Sequence, residues 1–265
     1  MIAKAIRIVQ ISDMHLLADD EAVLLGVKTT ASFQAVIDAV SMDPVKPDVL
    51  ILSGDLSQDE SATSYRKLAN QISTLHIPTY CIPGNHDNVE VMADVFPQQM
   101  VSVDKQMLLP GWQLILLESQ RRGAVEGYLE PIQLAYLEQC LEAHPERHAI
   151  IVLHHHPVPI GSAWIDKIGL TNADVFWDVL AHYPKVKAVL FGHIHQHHES
   201  KKNAILCLAV PSTCIQFQPL SDKFGLQNIP QGYRWLNLYE DGRLETGITR
   251  LPNYVGFFDP NAKGY

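Results

Sequence analysis

Short apolar, partly β-branched segments alternate with helical patterns along most of the 265-residue chain, and the alternation closes on a hairpin signal. Together these predict an α/β fold in layers with mixed sheets. Ile6–Ile11 reads as a strand. Residues 30–40 read as a helix, with Phe33, Val36, Ile37 and Val40 on one face. A second buried strand at 49–52 is followed by a helix at 61–75, where Tyr65, Leu68, Ala69 and Ile72 recur at helical spacing. Thr79–Ile82 is a third strand, stopped by Pro83-Gly84. The pattern then repeats: a strand at 113–117, and a helix at Pro131–Ala143 that Pro131 starts in its first turn. A strand at 149–153 and a helix at 174–182, broken before Pro184, come next. Val186–Phe191 and 204–209 are strands again, and strands at 233–239 and 243–249 flank the turn Asp241-Gly242. No repeat, low-complexity tract or Pro/Ser linker interrupts this order, so a single domain over 1–265 is expected. The Pro-containing stretch 216–230 reads as a long loop or lid.

Composition narrows the function. Hydrophobic residues make up 47% of the chain and charged ones 18%, ordinary values for a globular protein with a sizeable core. A net charge of −9 argues against nucleic acid as a partner, which would need a clustered basic face. The adjacent basic pairs Arg121-Arg122 and Lys201-Lys202 read as solvated loop residues. A small anionic substrate remains compatible with an acidic surface if bound metal supplies local charge. Cys81, Cys140, Cys207 and Cys214 form no C-x-x-C pair and read as buried free thiols, which suits a reducing compartment. Charge at Lys4 and Arg7 breaks any leader-like run, and no apolar stretch approaches the ~18 residues of a membrane span. A cytoplasmic protein without a membrane partner is expected.

Five short blocks carry the chemistry: Asp13-Met14-His15, Gly54-Asp55, Gly84-Asn85-His86-Asp87, His154-His155-His156 and Gly192-His193-Ile194-His195. Nearly every one ends an apolar run. Asp and Asn offer hard oxygen ligands, and His offers neutral nitrogen suited to Fe, Mn, Zn or Co. One Asp can bridge two ions at the ~3.5–4 Å separation of hydrolytic two-metal centres. Asp13 and His15 lie two apart; in extended backbone both would face one ion. Gly54 permits close backbone approach, leaving Asp55 to bridge. Asn85 can ligate through its carbonyl oxygen while His86 points at substrate. His154, the first polar residue after its strand, is better placed than His155 or His156. His193 and His195 could face the same cluster, one per ion, whereas His197 and His198 read as surface residues. Each block is modest alone; five at successive strand ends are not.

In this order, D-x-H, G-D, G-N-H-D/E, H and G-H-x-H resemble the calcineurin-like metallophosphoesterase superfamily, and most closely its bacterial class III cyclic nucleotide phosphodiesterases. Leu24-Leu25-Gly26-Val27, Ser53-Gly54-Asp55-Leu56-Ser57-Gln58-Asp59 and Pro211-Ser212-Thr213-Cys214 support the resemblance. It implies a four-layer sandwich, two mixed β-sheets flanked by α-helices, with the site at the sheets' carboxyl ends. It implies two divalent ions per chain, Fe2+ and/or Mn2+, with Zn or Co also accepted. Asp13, His15 and His195 would hold the first with bridging Asp55. Asn85, His154 and His193 would hold the second, again with Asp55. Substrate would lie against His15, Asp55, Asn85, His86, His154 and His195, with His86 at the phosphate as the catalytic acid. The implied reaction is hydrolysis of 3′,5′-cyclic AMP to 5′-AMP by a metal-bridging hydroxide. Many protein phosphatases of the superfamily carry G-D-x-x-D-R; Gln58-Asp59 with no Arg disfavours a phosphoprotein substrate and leaves Asp59 or Asp87 to orient His86. A broader phosphodiesterase or phosphomonoesterase, acting for example on 2′,3′-cyclic nucleotides, would use the same metals. A non-catalytic interaction module on this fold would tolerate a broken ligand set, and this set is complete.

Overall fold

The computed structural model describes residues 5–259 and 262–264, so Lys4, part of the charge that argues against a leader, lies outside the described residues. The chain forms two six-stranded mixed sheets, and its closing hairpin returns to the first of them. The first half supplies β1 (Ile6–Ile11), the short hairpin β2 (Val23–Leu24) and β3 (Val27–Lys28), then α1 (Thr29–Met42) and β4 (Val49–Ser53). It continues with α2 (Ala62–Ser73), β5 (Thr79–Ile82), α3 (Val89–Val95) and β6 (Val101–Ser102). The second half supplies β7 (Gln106–Leu109), β8 (Trp112–Leu116), α4 (Pro131–Ala143), β9 (His148–Val152) and α5 (Ala173–Leu180). Then come β10 (Val186–Phe191), β11 (His198–Lys202), β12 (Ile205–Ala209), and the closing hairpin β13 (Gly232–Leu238) and β14 (Leu244–Arg250). The first sheet runs β14-β13-β1-β4-β5-β6 and the second β11-β12-β10-β9-β8-β7. Each has a parallel centre and at least one antiparallel edge.

Strand alternation explains the layering. Ile8, Val49 and Ile51 of the first sheet point inward and meet Leu114, Ile150 and Leu190 of the second in a closed apolar layer. Their neighbours Val9, Ile11, Leu50 and Leu52 point outward, onto Phe33 and Val36 of α1 and Tyr65 and Leu68 of α2. On the other outer face, Ile151, Val189 and Phe191 pack against Leu137 of α4 and Phe176 and Trp177 of α5. Strands buried on both faces read as continuous apolar runs, the pattern seen in the sequence. The result is the expected four-layer sandwich. Polar residues also cross between the sheets, among them Gln10, which donates from Nε2 to the Ser53 hydroxyl at 2.9 Å and the Phe191 carbonyl at 3.1 Å. It ties the sheets together just before their carboxyl ends.

Ser61 caps α2 by accepting the Ser64 amide, and Pro131 opens α4. His198 departs from expectation: instead of lying on the surface it is half-buried at the start of edge strand β11, while His197 is exposed. All four cysteines are buried and free. No helix among the described residues is long and apolar enough to cross a membrane. The 216–230 stretch forms no regular element and folds back on itself through a bridge between Phe217 and Leu226.

Candidate metal centre

Every block identified in the sequence follows a strand of the parallel centres. The loops after β1, β4 and β5 bring Asp13, His15, Asp55 and Asn85 from one sheet. Those after β9 and β10 bring His154, His193 and His195 from the other. The loops are knit together: Asp13 and His15 donate their amides to Gly54 and Asp55 carbonyls at 3.0 and 2.9 Å, and Gly192 donates to the His154 carbonyl at 3.0 Å.

Two groups of side chains converge. Asp13, His15, Asp55 and His195 place ligand atoms within 4.8 Å of one another, all buried. Asp55 Oδ2 lies 3.7 Å from His15 Nε2 on this side and 3.2 Å from His154 Nε2 on the other. Beside His154, Asn85 Oδ1 is 3.2 Å from His154 Nε2 and 3.0 Å from His193 Nδ1. His155 also sits in this second group by distance, with His154 and His193. Both of its ring nitrogens are engaged elsewhere, however, by Ser119 Oγ at 2.8 Å and the Val125 carbonyl at 3.1 Å. His156 stacks on His193 and faces Asp166 at 3.6 Å. Of the three, His154 is the one whose Nε2 lies against both Asp55 and Asn85.

The chemistry of these donors fits divalent cations. His15 donates Nδ1–H to Gln58 Oε1 at 2.7 Å, and His195 donates Nδ1–H to the Ile215 carbonyl at 2.9 Å. Burial lowers His15 to about 4 and pushes His195 well below the usual imidazole range, so both rings are neutral. Their Nε2 atoms therefore present lone pairs to each other across 3.2 Å. Carboxylate oxygens flank them, His195 Nε2 lying 3.4 Å from Asp13 Oδ1. Acceptors facing acceptors in a buried pocket call for a cation between them. Asp13 Oδ2 and His193 Nε2 are also buried without a hydrogen-bond partner among the described residues. Burial, together with Asp55, raises Asp13 to about 7 against the pull of His154. At Asp55 burial works upward too, but His154, His86 and His15 hold the carboxyl well below its ordinary range. His154 goes the other way from the remaining imidazoles: against burial, Asp55 lifts it to about 9.

The backbone is bent to achieve this. Asp13, His15, Asp55, His193 and His195 all have positive φ, between 47° and 66°. Such conformations cost of order 1–3 kcal/mol each and persist where the surroundings over-determine them. The i, i+2 pairs converge in left-handed backbone rather than in the extended backbone that the D-x-H spacing suggested. Gly54, at φ 98°, and Gly84 let the β4 and β5 loops touch: a Cβ on Gly84 would enter the Asp55 carboxylate.

His86 is half-buried; its amide donates to Asp55 Oδ1 at 2.9 Å, and its ring meets His15 edge-on at 5.0 Å between centroids. Both acids expected to orient it accept backbone amides. Asp87 accepts the Gly84, Leu56 and Ser57 amides and the Tyr65 hydroxyl, which shapes the Asp55 loop. Asp59 accepts the Ala18 and Ser61 amides. The residues that fix the imidazoles carry little sequence signal. Ser53 and Ile215 act through carbonyls, and Gln58 stood out only as a departure from G-D-x-x-D-R.

A family model for calcineurin-like phosphoesterases matches residues 6–197, which include every residue of both groups. The chain is 42% identical to the 3′,5′-cyclic adenosine monophosphate phosphodiesterase CpdA of Vibrio vulnificus, over 98% of this chain and 96% of that protein. It is 41% identical to the protein of the same name from Pseudomonas aeruginosa, over 98% and 96%. Among solved structures, a dimetal phosphatase from Danio rerio superposes with a TM-score of 0.64 at 11% identity, covering 92% of this chain and 98% of that one. The purple acid phosphatase PPD1 of yellow lupin gives 0.66 at 13% identity, covering 97% of this chain and 53% of that one. At such identities these two speak for the fold alone.

Proposed function

The chain belongs to the calcineurin-like phosphoesterase family, and on that premise we propose that it hydrolyses the cyclic phosphodiester of 3′,5′-cyclic AMP to 5′-AMP at a centre of two divalent metal ions. The observation that carries the reaction is Asp55, one buried carboxylate shared by two converging ligand groups. The choice of substrate rests on the activity named for the relatives aligned over nearly the whole chain.

In this reading Asp13, His15 and His195 would hold one ion and Asn85, His154 and His193 the other, with Asp55 available to both. Fe2+ and/or Mn2+ are the proposed occupants, and Zn or Co suit the same donors. When bound, the ions lower the pKa of water toward neutrality and offset charge on the phosphoryl oxygens. The chain's own part is orientation. His15, His154 and His195 each give Nδ1–H to a carbonyl oxygen, which fixes the ring so that Nε2 faces the centre without reorganisation. Substrate lies against His15, Asp55, Asn85, His86, His154 and His195. His86 reaches a phosphoryl oxygen and passes a ring proton to the 3′-oxygen as the P–O3′ bond breaks, a role worth ~10²–10⁴-fold. We place this activity in one cytoplasmic domain, a reading that the four buried free thiols favour.

The test is hydrolysis of 3′,5′-cyclic AMP, 3′,5′-cyclic GMP and 2′,3′-cyclic AMP by metal-reconstituted protein, with the products identified. The reading expects 3′,5′-cyclic AMP to give 5′-AMP with the highest kcat/KM. Preference for the 2′,3′-cyclic ester, or 3′-AMP as product, overturns it.

A further inference from the structure

We propose that Trp164, backed by Phe217 and Phe224, is the platform on which the nucleobase of the substrate stacks, an inference that rests on the cyclic-nucleotide reading above. With the phosphate at the metal centre, the base must leave along one wall of the site. On the β5 side the chain that leaves the centre at His86 is polar, continuing through Asn88 and the exposed Glu90. On the second-sheet side the wall is aromatic and begins at a residue of the centre itself. Phe217 lies flat on the His195 ring, 4.2 Å between centroids and 10° from parallel. Phe217 is buried, but the two rings beyond it are only half-buried. Trp164 meets Phe217 edge-on at 5.1 Å and Phe224 at 5.3 Å.

These rings come from two irregular loops, the one after β9 and the 216–230 stretch, joined where Ser221 donates its amide to the Ser162 hydroxyl at 3.3 Å. A second observation points to a ligand. The amide Nε2 of Gln196, next in sequence to His195, is a buried donor without a partner among the described residues. The ring nitrogens of a purine are acceptors, and an indole face suits base stacking.

The experiment uses metal-loaded protein and compares 5′-AMP with ribose 5-phosphate by titration calorimetry, alongside cyclic AMP turnover, for wild type, Trp164→Ala and Trp164→Phe. Wild type should bind 5′-AMP at least tenfold more tightly than ribose 5-phosphate. Trp164→Ala should remove most of that preference and raise the KM for cyclic AMP about tenfold. Its kcat should stay within threefold, and Trp164→Phe should restore the KM to within threefold of wild type. Equal affinity of wild type for the two phosphates overturns the platform whatever the variants do, as does an equal loss of both affinities in Trp164→Ala. If wild type prefers 5′-AMP but does not turn over cyclic AMP, the platform stands and the functional reading falls.

Discussion

The space between the two sheets and the loops at their carboxyl ends solve opposite problems in the same few residues of chain. Between the sheets, Ile8, Ile51, Ile150 and Leu190 are fully buried in regular strands, where local preference, pattern and packing agree. A few residues further along the same strands, Asp13, Asp55, His193 and His195 are just as buried, but they are polar and carry left-handed backbone. The contrast shows what the sandwich is for. Its apolar layer supplies stability from outside the centre, and that stability holds five strained residues in place, the shared carboxylate Asp55 among them.

Substitutions can break this division of labour. The largest effect is expected for Asp55→Asn, which removes the common ligand: both ions should be lost and turnover should fall by more than about 10³-fold. Thermal unfolding at neutral pH should also show the metal-free variant less stable than metal-free wild type, because the carboxylate that pairs with His154 has been removed. His86→Ala should lower kcat by ~10²–10⁴-fold while elemental analysis finds normal metal content. Loss of metal in that variant would move His86 from chemistry to ligation. Ile51→Ala should do the reverse, costing about 2–5 kcal/mol in denaturant unfolding while leaving kcat of the folded protein near wild type. The smallest effect sharpens the boundary between the two regions. Gln58→Ala removes the acceptor that fixes His15, so metal affinity should drop ~10–100-fold with little change in stability.

The same contrast explains what the sequence reveals. Buried strands announce themselves as apolar runs, so Ile6–Ile11, Thr79–Ile82, Val186–Phe191 and the helix Pro131–Ala143 stand where the pattern puts them. Elements set by neighbours leave no such trace. The two-residue strands β2, β3 and β6 exist only through their pairing partners. Edge strand β11, His-Glu-Ser-Lys-Lys, has the charge expected of an exposed edge and none of the apolar alternation of a half-buried strand. Helix α3 begins just past the Gly84–Asp87 block and is marked by little more than its cap, Asn88. In the centre, the residues that converge are legible because Asp, Asn and His at successive strand ends have few other reasons to recur. Their route to convergence is not legible, since positive φ at Asp13 and His15 comes from amide bonds to the β4 loop. Nor is the occupation of Asp87 by backbone amides, which only the folded turn reveals.

The central claim is that Asp55 joins two metal sites that act together on cyclic AMP. Its most direct test is the metal content per chain of reconstituted wild type and Asp55→Asn, measured on the same samples as cyclic AMP turnover. The account predicts two divalent ions and 5′-AMP production for wild type, with both lost in the variant. Full turnover by wild type carrying one ion or none, or by Asp55→Asn, would contradict it.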